Sequence, residues 1–209
     1  MVMSVVGVAN AQSSQVARVA DHIQRHGAFG LKAGLNLSDL SAGQSGTYFS
    51  SPKSRLGMVF GAFYNIPFGQ SLAFQPELSY SAEGANQDGQ LGANNTMVLV
   101  AEYKYNYLNL PLMLQYKPHR FYLEAGPQFG FRMAANQVTH TNTSAGNVTT
   151  DVSNEVKGMN LSLALGTGYY LSNHFGLGLR YTIGLSEIRT LTGAVQKGNV
   201  LSLSALYKF

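Results

Sequence analysis

With 209 residues, the chain has the length of one substantial domain, and nothing in its composition requires a second. Apolar residues make up 45% of it and charged residues 11%, against about 25% charged residues in typical soluble domains. The net charge of +4 comes without Lys/Arg clusters, which argues against a nucleic-acid partner, and the absence of cysteine excludes disulfides and thiolate zinc sites. No run of about 18 apolar residues occurs, so a membrane span would have to consist of strands.

The N-terminal residues differ from the rest of the chain. Val2–Ala9 is a short apolar stretch, and Ala9-Asn10-Ala11 fits the small-x-small rule for signal-peptide cleavage, although a basic leading segment is missing. We therefore expect a residual signal peptide at 1–11 and export of the protein, with a frayed apolar terminus as the alternative. Residues 12–27 carry a weak helical stripe and are predicted to form a periplasmic arm or short helix, or to be disordered.

Eight segments alternate between apolar and polar side chains, as strands do when their two faces meet different environments. Most are about 10–14 residues long, which is enough for a strand to cross a bilayer, since this needs roughly 9–11 residues. The predicted strands are Ala28–Ser38, Leu56–Asn65, Ser71–Ala82, Tyr105–Tyr116, Arg120–Met133, Gly158–Tyr170, His174–Glu187 and Asn199–Phe209.

The connections between these segments alternate in length. Tight turns are predicted at Ile66–Gln70, Lys117–His119 and Leu171–Asn173, where Pro, Gly or Asn occurs. Longer polar loops are predicted at Asp39–Arg55, Glu83–Lys104, Ala134–Lys157 and Ile188–Gly198. This order is typical of outer-membrane barrels, which have short periplasmic turns and long outer loops.

The two faces of the predicted strands differ sharply in size and polarity. In the seventh strand, Phe175, Leu177 and Leu179 alternate with glycines and with Arg180. A soluble barrel, such as a lipocalin-like binder, would place its large apolar side chains inside, whereas small and charged inward residues suit a narrow barrel in lipid. We therefore predict that residues 28–209 form an eight-stranded, antiparallel, up-and-down transmembrane β-barrel in the outer membrane, with both termini periplasmic.

Aromatic residues and the end of the chain fit this arrangement. The alternation of the last strand runs to Phe209, and its edge is expected to close the barrel by pairing with Ala28–Ser38. Aromatic girdles at the two membrane interfaces are predicted from side chains near strand ends. The predicted girdles are Tyr64, Tyr116, Phe121, Phe175 and Tyr207 on the periplasmic side, and Tyr80, Tyr105, Phe131 and Tyr181 on the outer side.

Four charged residues have inward parity and are the candidate site. Lys32, Glu77, Glu124 and Arg180 each lie roughly four to six residues into their strands, so they are expected to share one layer of the lumen. Because an unpaired buried charge is costly, we predict a lumen polar network of ion pairs that acts as a structural plug. A gate or a proton path is the functional alternative. Arg132 is expected near the outer rim, beside Tyr or Asn neighbours.

The sequence gives little support for catalysis. His22 and His26 have the i,i+4 spacing of a helical metal site but lack a third ligand, and no phosphate loop, serine elbow or metalloprotease motif occurs. An outer-rim enzyme would have to use groups predicted to lie in loops, namely Asp39, Asp88, His140 and Asp151. We therefore expect no catalytic residues, no metal and no cofactor.

Several segments together resemble one family. Phe29–Asn36, Gln75–Gly84, Tyr107–Leu112, Tyr122–Pro127 and Gly178–Tyr181 with Gly184-Leu185 look like strands one, three, four, five and seven of the PorT-like outer-membrane β-barrel family of Bacteroidetes-type bacteria. The resemblance implies an outer-membrane location and an eight-stranded barrel. It also implies that a terminal aromatic residue is read by the barrel-assembly machinery. It does not imply an activity, although PorT itself is linked to protein secretion.

From the sequence we expect a monomeric, non-enzymatic barrel with a side-chain-filled lumen and a structural or surface-interaction role. Its expected partners are outer-membrane lipid, the barrel-assembly machinery during insertion, and a protein or surface bound by the outer loops. A transport or secretion component is the first alternative, although a narrow barrel is a poor general porin. A soluble binding barrel is the second.

Overall fold

The computed structural model describes residues 27–41, 53–91, 97–141, 148–151, 158–186, 189–191 and 194–209. These residues contain eight long strands and two short ones. The strands are β1 (Ala28–Ser41), β2 (Lys53–Phe68), β3 (Leu72–Leu91), β4 (Met97–Tyr116), β5 (Phe121–Thr141), β6 (Val148–Asp151), β7 (Met159–Tyr170), β8 (Phe175–Gly184), β9 (Arg189–Leu191) and β10 (Ala194–Lys208). Over the described ranges, no helix is both long and apolar enough to cross a membrane.

The eight long strands form a closed antiparallel barrel, which confirms the predicted fold class. Each pairs with its neighbour in chain order, β6 and β9 add short pairings, and β10 pairs with β1 from Gly30↔Lys208 to Ser41↔Lys197. Closure leaves no exposed edge along this seam, as a strand structure in lipid requires. We call the end that holds Ala28 and Phe209 the terminal end, and the opposite end the hairpin end.

Tight connections at the terminal end overlap the predicted turns, although Ile66–Phe68, predicted as turn, lie in β2. Residues 69–71 join β2 to β3, 117–120 join β4 to β5, and 171–174 join β7 to β8. Gly69 has a φ of 75°, a left-handed conformation that glycine adopts without a steric cost. The short connections therefore lie at the same end as both ends of the barrel domain.

At the hairpin end, much of what was predicted as loop is strand. β3 and β4 stay paired from Leu72↔Tyr116 to Leu91↔Met97, so the loop prediction for Glu83–Lys104 is wrong over most of that stretch. In Ala134–Lys157 it is wrong at residues 134–141 and 148–151, which belong to β5 and β6. Backbone pairing continues after the apolar alternation has ended, because neither face there needs to be apolar. Asp39, Asp88, His140 and Asp151 accordingly lie in β1, β3, β5 and β6 and not in loops.

The apolar face of the barrel points outward. Leu35 on β1 is 51% exposed and Leu203 on β10 is 57% exposed. Lys32 on β1 and Ser204 on β10 have the opposite parity and are buried. The same pattern recurs around the wall, where exposed Leu, Phe, Met and Tyr side chains form a continuous apolar belt. An apolar belt of this extent is costly in water and is expected where the barrel meets lipid.

One girdle residue was predicted on the wrong face. Tyr105 is only 1% exposed and packs inside the barrel with Ala85, Tyr107 and Ala135. It has the same parity as Tyr107 and Asn109, whose side chains also face the lumen, so an end-of-strand position does not bring it to the surface. The small Ala85 and Ala135 side chains leave room for the two rings at this level.

The predictions for residues 1–26 lie outside the described residues. These are the residual signal peptide, nearly all of the arm, and the His22/His26 pair.

Candidate functional site

The four charged residues of the predicted network lie on four different strands. Lys32 is on β1, Glu77 on β3, Glu124 on β5 and Arg180 on β8, and the period of two turns each side chain into the lumen. All four are buried, from 2% exposure for Glu77 to 9% for Arg180. The closed barrel thus brings together residues that are up to 148 positions apart in the numbering of the chain.

Arg180 is the centre of this network. Its Nη1 and Nη2 donate to the two oxygens of Glu77 at 2.8 and 2.7 Å, which is the bidentate geometry that planar guanidinium and carboxylate groups favour. Its Nε donates to Glu124 Oε1 at 2.8 Å, and Nη2 lies 2.6 Å from the same oxygen. Every nitrogen of the guanidinium group is therefore engaged by a carboxylate.

Lys32 completes the charge balance. Its Nζ donates to Glu77 Oε2 at 2.7 Å, so Glu77 binds both cations while Arg180 binds both carboxylates. Two positive and two negative charges cancel within one buried cluster. Because the charges are mutually satisfied, removing any one of them would leave a buried charge uncompensated.

Three amide side chains extend the network toward the terminal end. Gln75 Nε2 donates to Glu77 Oε1 and Gln115 Nε2 donates to Glu124 Oε2, each at 2.9 Å. Asn65 Nδ2 then donates to both glutamine carbonyls, at 2.8 and 2.9 Å. Sequence reasoning did not single out these amides. Their inward parity, with Gln75 two residues before Glu77, was the available signal.

Lys117 caps the amide chain from the β4–β5 turn. Its Nζ donates to Asn65 Oδ1 at 2.6 Å. Partial burial lowers the pKa of Lys117 to about 8, and the positive charge of Lys208 lowers it in the same direction. A chain of polar contacts therefore runs from the solvent side of the turn to Arg180.

An aromatic cluster closes the lumen beside these amides. Phe63, Tyr122, Tyr170 and Leu206 pack together, and the Tyr122 and Tyr170 rings have centroids 5.7 Å apart. Gly168 is required here, because a Cβ at this position would collide with the Tyr122 ring. Inward glycines thus make room for bulky luminal rings and do not leave an open channel.

A second polar layer lies on the hairpin side of Arg180. Ser202 Oγ donates to Asn36 Oδ1 at 2.7 Å, Asn36 Nδ2 donates to Ser81 Oγ at 2.6 Å, and Ser81 Oγ donates to Glu83 Oε1 at 2.7 Å. Glu83 was predicted to lie in a loop, and this placement is wrong. Its carboxylate forms no ion pair with any described Lys, Arg or His.

The space left in this part of the lumen is small. A cavity lined by Lys32, Ser79, Glu83 and Arg180, among others, has a volume of about 20 Å³, and its neighbour beside Asn109 has about 10 Å³. Cavities of this size hold about one water molecule. Among the described residues, no group of three or more His, Cys, Asp or Glu side chains could hold a metal ion. Polar side chains therefore fill nearly all of this part of the lumen.

The comparisons with known proteins agree with this architecture. The family model for the outer membrane protein beta-barrel domain matches residues 10–189. The chain belongs to this family. The match covers the four network residues, the strands β1 to β8 and the first residue of β9, whereas β10, which completes the barrel in the structure, lies beyond it. A search of curated proteins found no match.

Solved structures share the fold at low sequence identity. The Neisserial surface protein A aligns with a TM-score of 0.51 at 11% identity, over 87% of this chain and 97% of the other. Ail, the attachment invasion locus protein of Yersinia pestis, in complex with the heparin analogue sucrose octasulfate, aligns with a TM-score of 0.50 at 12% identity, over 88% and 99%. These similarities concern the fold alone.

Proposed function

We propose that the protein is a non-enzymatic barrel of the cell outer membrane whose lumen is closed by side chains and whose hairpin end provides a surface for interaction. The closed lumen is inferred from the Arg180 network, in which every charge is paired. An open transport path would need water or substrate in the space that these side chains occupy. Both termini lie on the periplasmic side in this proposal, because short turns are usual there.

The extended strands at the hairpin end support a surface role. β3 and β4 stay paired beyond the apolar belt, and the stretch Glu83–Leu91 adds about 25–30 Å at roughly 3.3 Å per residue. Its base is polar: Glu102 pairs with Arg55 and with Lys104, each at 3.0 Å. A polar extension of paired strands is suited to contact with other molecules outside the membrane.

The solved relatives are compatible with such a role. Ail was solved with the heparin analogue sucrose octasulfate, and a barrel of related fold therefore binds a sulfated sugar. At 12% identity this ligand is not transferred to the present chain. It supports only the general idea that barrels of this architecture serve as binding surfaces.

The remaining features of the proposal concern the lipid, the assembly route and the oligomeric state. The barrel is proposed to be a monomer in contact with outer-membrane lipid through its apolar belt. The barrel-assembly machinery is the proposed partner during insertion.

Planar-bilayer recording tests the closed lumen. We expect the wild-type barrel to give no stable conductance, and Arg180→Ala to give measurable conductance because it removes the side chain that binds both carboxylates. Leu179→Ala is the matched control on the lipid-facing side of the same strand and should remain silent. Folded insertion of all three is verified by the heat-dependent shift in gel mobility.

A transport or secretion role, as the PorT-like resemblance implies, is the alternative. Stable single-channel conductance of the wild-type protein would favour it and would contradict the closed-lumen proposal.

A further inference from the structure

Glu83 lies where three small cavities meet in the hairpin half of the lumen. The cavities have volumes of about 10, 20 and 10 Å³, and we call the one beside Asn109, of about 10 Å³, the Glu83 cavity. Six polar side chains line it: Glu83, Asn109, Gln128, Asn160, Ser162 and Thr182. They come from β3, β4, β5, β7 and β8, so only the closed barrel brings them together.

Three of these side chains are buried without a hydrogen bond to the protein. Gln128, Ser162 and Thr182 are 8%, 6% and 5% exposed, and their side-chain polar groups bond to no described residue. A buried amide or hydroxyl group without a partner is costly, and such groups are rare in folded proteins. Because all three line the same cavity, a species bound there would provide the partner for each of them.

The carboxylate of Glu83 has no described counter-charge. The ion-pair network around Arg180 is neutral as a whole, so it leaves no positive charge for Glu83. Arg55 donates from Nη1 to the backbone carbonyl of Glu83 at 3.1 Å, while its Nε pairs with the Glu102 carboxylate. Since a buried carboxylate is costly without a positive partner, this position favours a bound cation.

A glycine keeps room for amide oxygens at the cavity. A Cβ at Gly130 would collide with Oδ1 of Asn160 and would lie within 3 Å of Oδ1 of Asn109. Two carbonyl-type oxygens from neighbouring strands therefore lie beside the same small space. Amide, hydroxyl and carboxylate oxygens are the ligands that hard metal cations prefer.

Size and charge restrict the occupant further. A volume of about 10 Å³ admits one particle of the size of a water molecule, which excludes any organic ligand. The negative charge of Glu83 disfavours an anion. One carboxylate balances a monovalent cation, whereas a divalent ion would leave a net charge buried in the lumen.

We propose that the Glu83 cavity binds one alkali-metal cation, with Glu83 as its counter-charge and the neutral amide and hydroxyl oxygens around it as further ligands. The third cavity, bordered by Asp39 and Tyr105, lies between Glu83 and the hairpin end, the side from which an ion would enter. The bound ion joins five strands at a level where the protein itself provides no ion pair.

Thermal unfolding of the full-length barrel in detergent micelles tests this site, with sodium chloride titrated against choline chloride at constant ionic strength. Mildly alkaline pH is used, because protons then compete least for the carboxylate. Choline is too large for the cavity, so the wild type should gain stability with sodium until the site is saturated. Glu83→Gln should lose this response, although it should unfold close to the wild type in choline alone.

Two further variants separate the cavity from a general effect of salt. Glu102→Gln removes the same charge from ion pairs outside the cavity and should keep the wild-type response to sodium. Thr182→Val keeps the charge and nearly the shape of the cavity but removes one oxygen, so half-maximal stabilisation should need severalfold more sodium.

Several results would overturn the assignment. An equal sodium response in wild type and Glu83→Gln would reveal a general salt effect. No sodium response in the wild type would identify water or a proton as the occupant. Stabilisation by magnesium but not by sodium would contradict the charge balance, and an unchanged response of Thr182→Val would place the ion outside this cavity.

Discussion

At the scale of single residues, two luminal carboxylates on β3, Glu77 and Glu83, are in opposite situations. Glu77 accepts hydrogen bonds from Lys32, Gln75 and Arg180, while Glu83 accepts them from the neutral Ser81 and Asn109 and has no described cationic partner in an ion pair. Burial of a charge is costly unless it is paired. A carboxylate therefore stabilises the barrel at the position of Glu77 and contributes little at the position of Glu83.

This contrast predicts different responses to one substitution. Glu77→Gln should lower the free energy of unfolding by about 3–5 kcal/mol, because Lys32 and Arg180 lose a shared partner. Glu83→Gln, the matched control in the same strand, should change it by less than about 1 kcal/mol, because no ion pair is broken. Urea unfolding in lipid vesicles, followed by tyrosine fluorescence, measures both; equal losses would contradict the assignment of Glu77 to the network.

Lys117 gives the residue-scale prediction on pH. Its pKa is about 8 in the folded protein against 10.5 for a free lysine, so between these values the unfolded chain binds more protons than the folded one. Stability from this group must therefore rise as the pH increases from 8 to 10.5. The difference in unfolding free energy between wild type and Lys117→Met, measured across this range, isolates the effect. A difference that is independent of pH would contradict the lowered pKa.

At the scale of elements, the closing strand β10 ends in a contact that holds the seam. The Phe209 amide donates to the Phe29 carbonyl at 2.9 Å, and the two rings stack with centroids 5.7 Å apart. The last residue thus extends the β1–β10 pairing by one more hydrogen bond and one aromatic contact.

Deletion of Phe209 should reduce assembly into the outer membrane severalfold, whereas Phe209→Tyr, which keeps the ring and the amide, should assemble normally. The fraction of heat-modifiable, folded protein in isolated membranes is the measurement. Normal assembly of the deletion variant would mean that neither the seam contact nor the terminal aromatic residue matters for insertion.

The strands also show which parts of the fold could be predicted from the sequence. Every predicted strand corresponds to a long strand of the barrel, because lipid on one side and a polar lumen on the other impose a period of two. Strand extensions such as Glu83–Leu91 were missed, because the alternation of apolar and polar side chains does not continue there. The luminal position of Tyr105 was missed for a related reason, since aromatic residues near strand ends occur on either face.

At the scale of the whole molecule, burial is inverted relative to a soluble barrel. Charged and amide side chains such as Arg180 and Gln75 fill the interior, and Leu203 and its neighbours cover the outside. The four charged network residues could be chosen from parity, but their partners could not. Which donor reaches which oxygen depends on how the closed barrel staggers its strands, and a single sequence does not specify that stagger.

Tryptophan quenching by lipids brominated on their acyl chains tests this inversion most directly, because the chain contains no tryptophan of its own. Single substitutions Leu203→Trp and Leu179→Trp place the probe on the outer face, and Phe63→Trp and Tyr122→Trp place it in the luminal aromatic cluster. We expect strong quenching of the first pair and little quenching of the second. Equal quenching of the two pairs, or stronger quenching of the luminal pair, would contradict it.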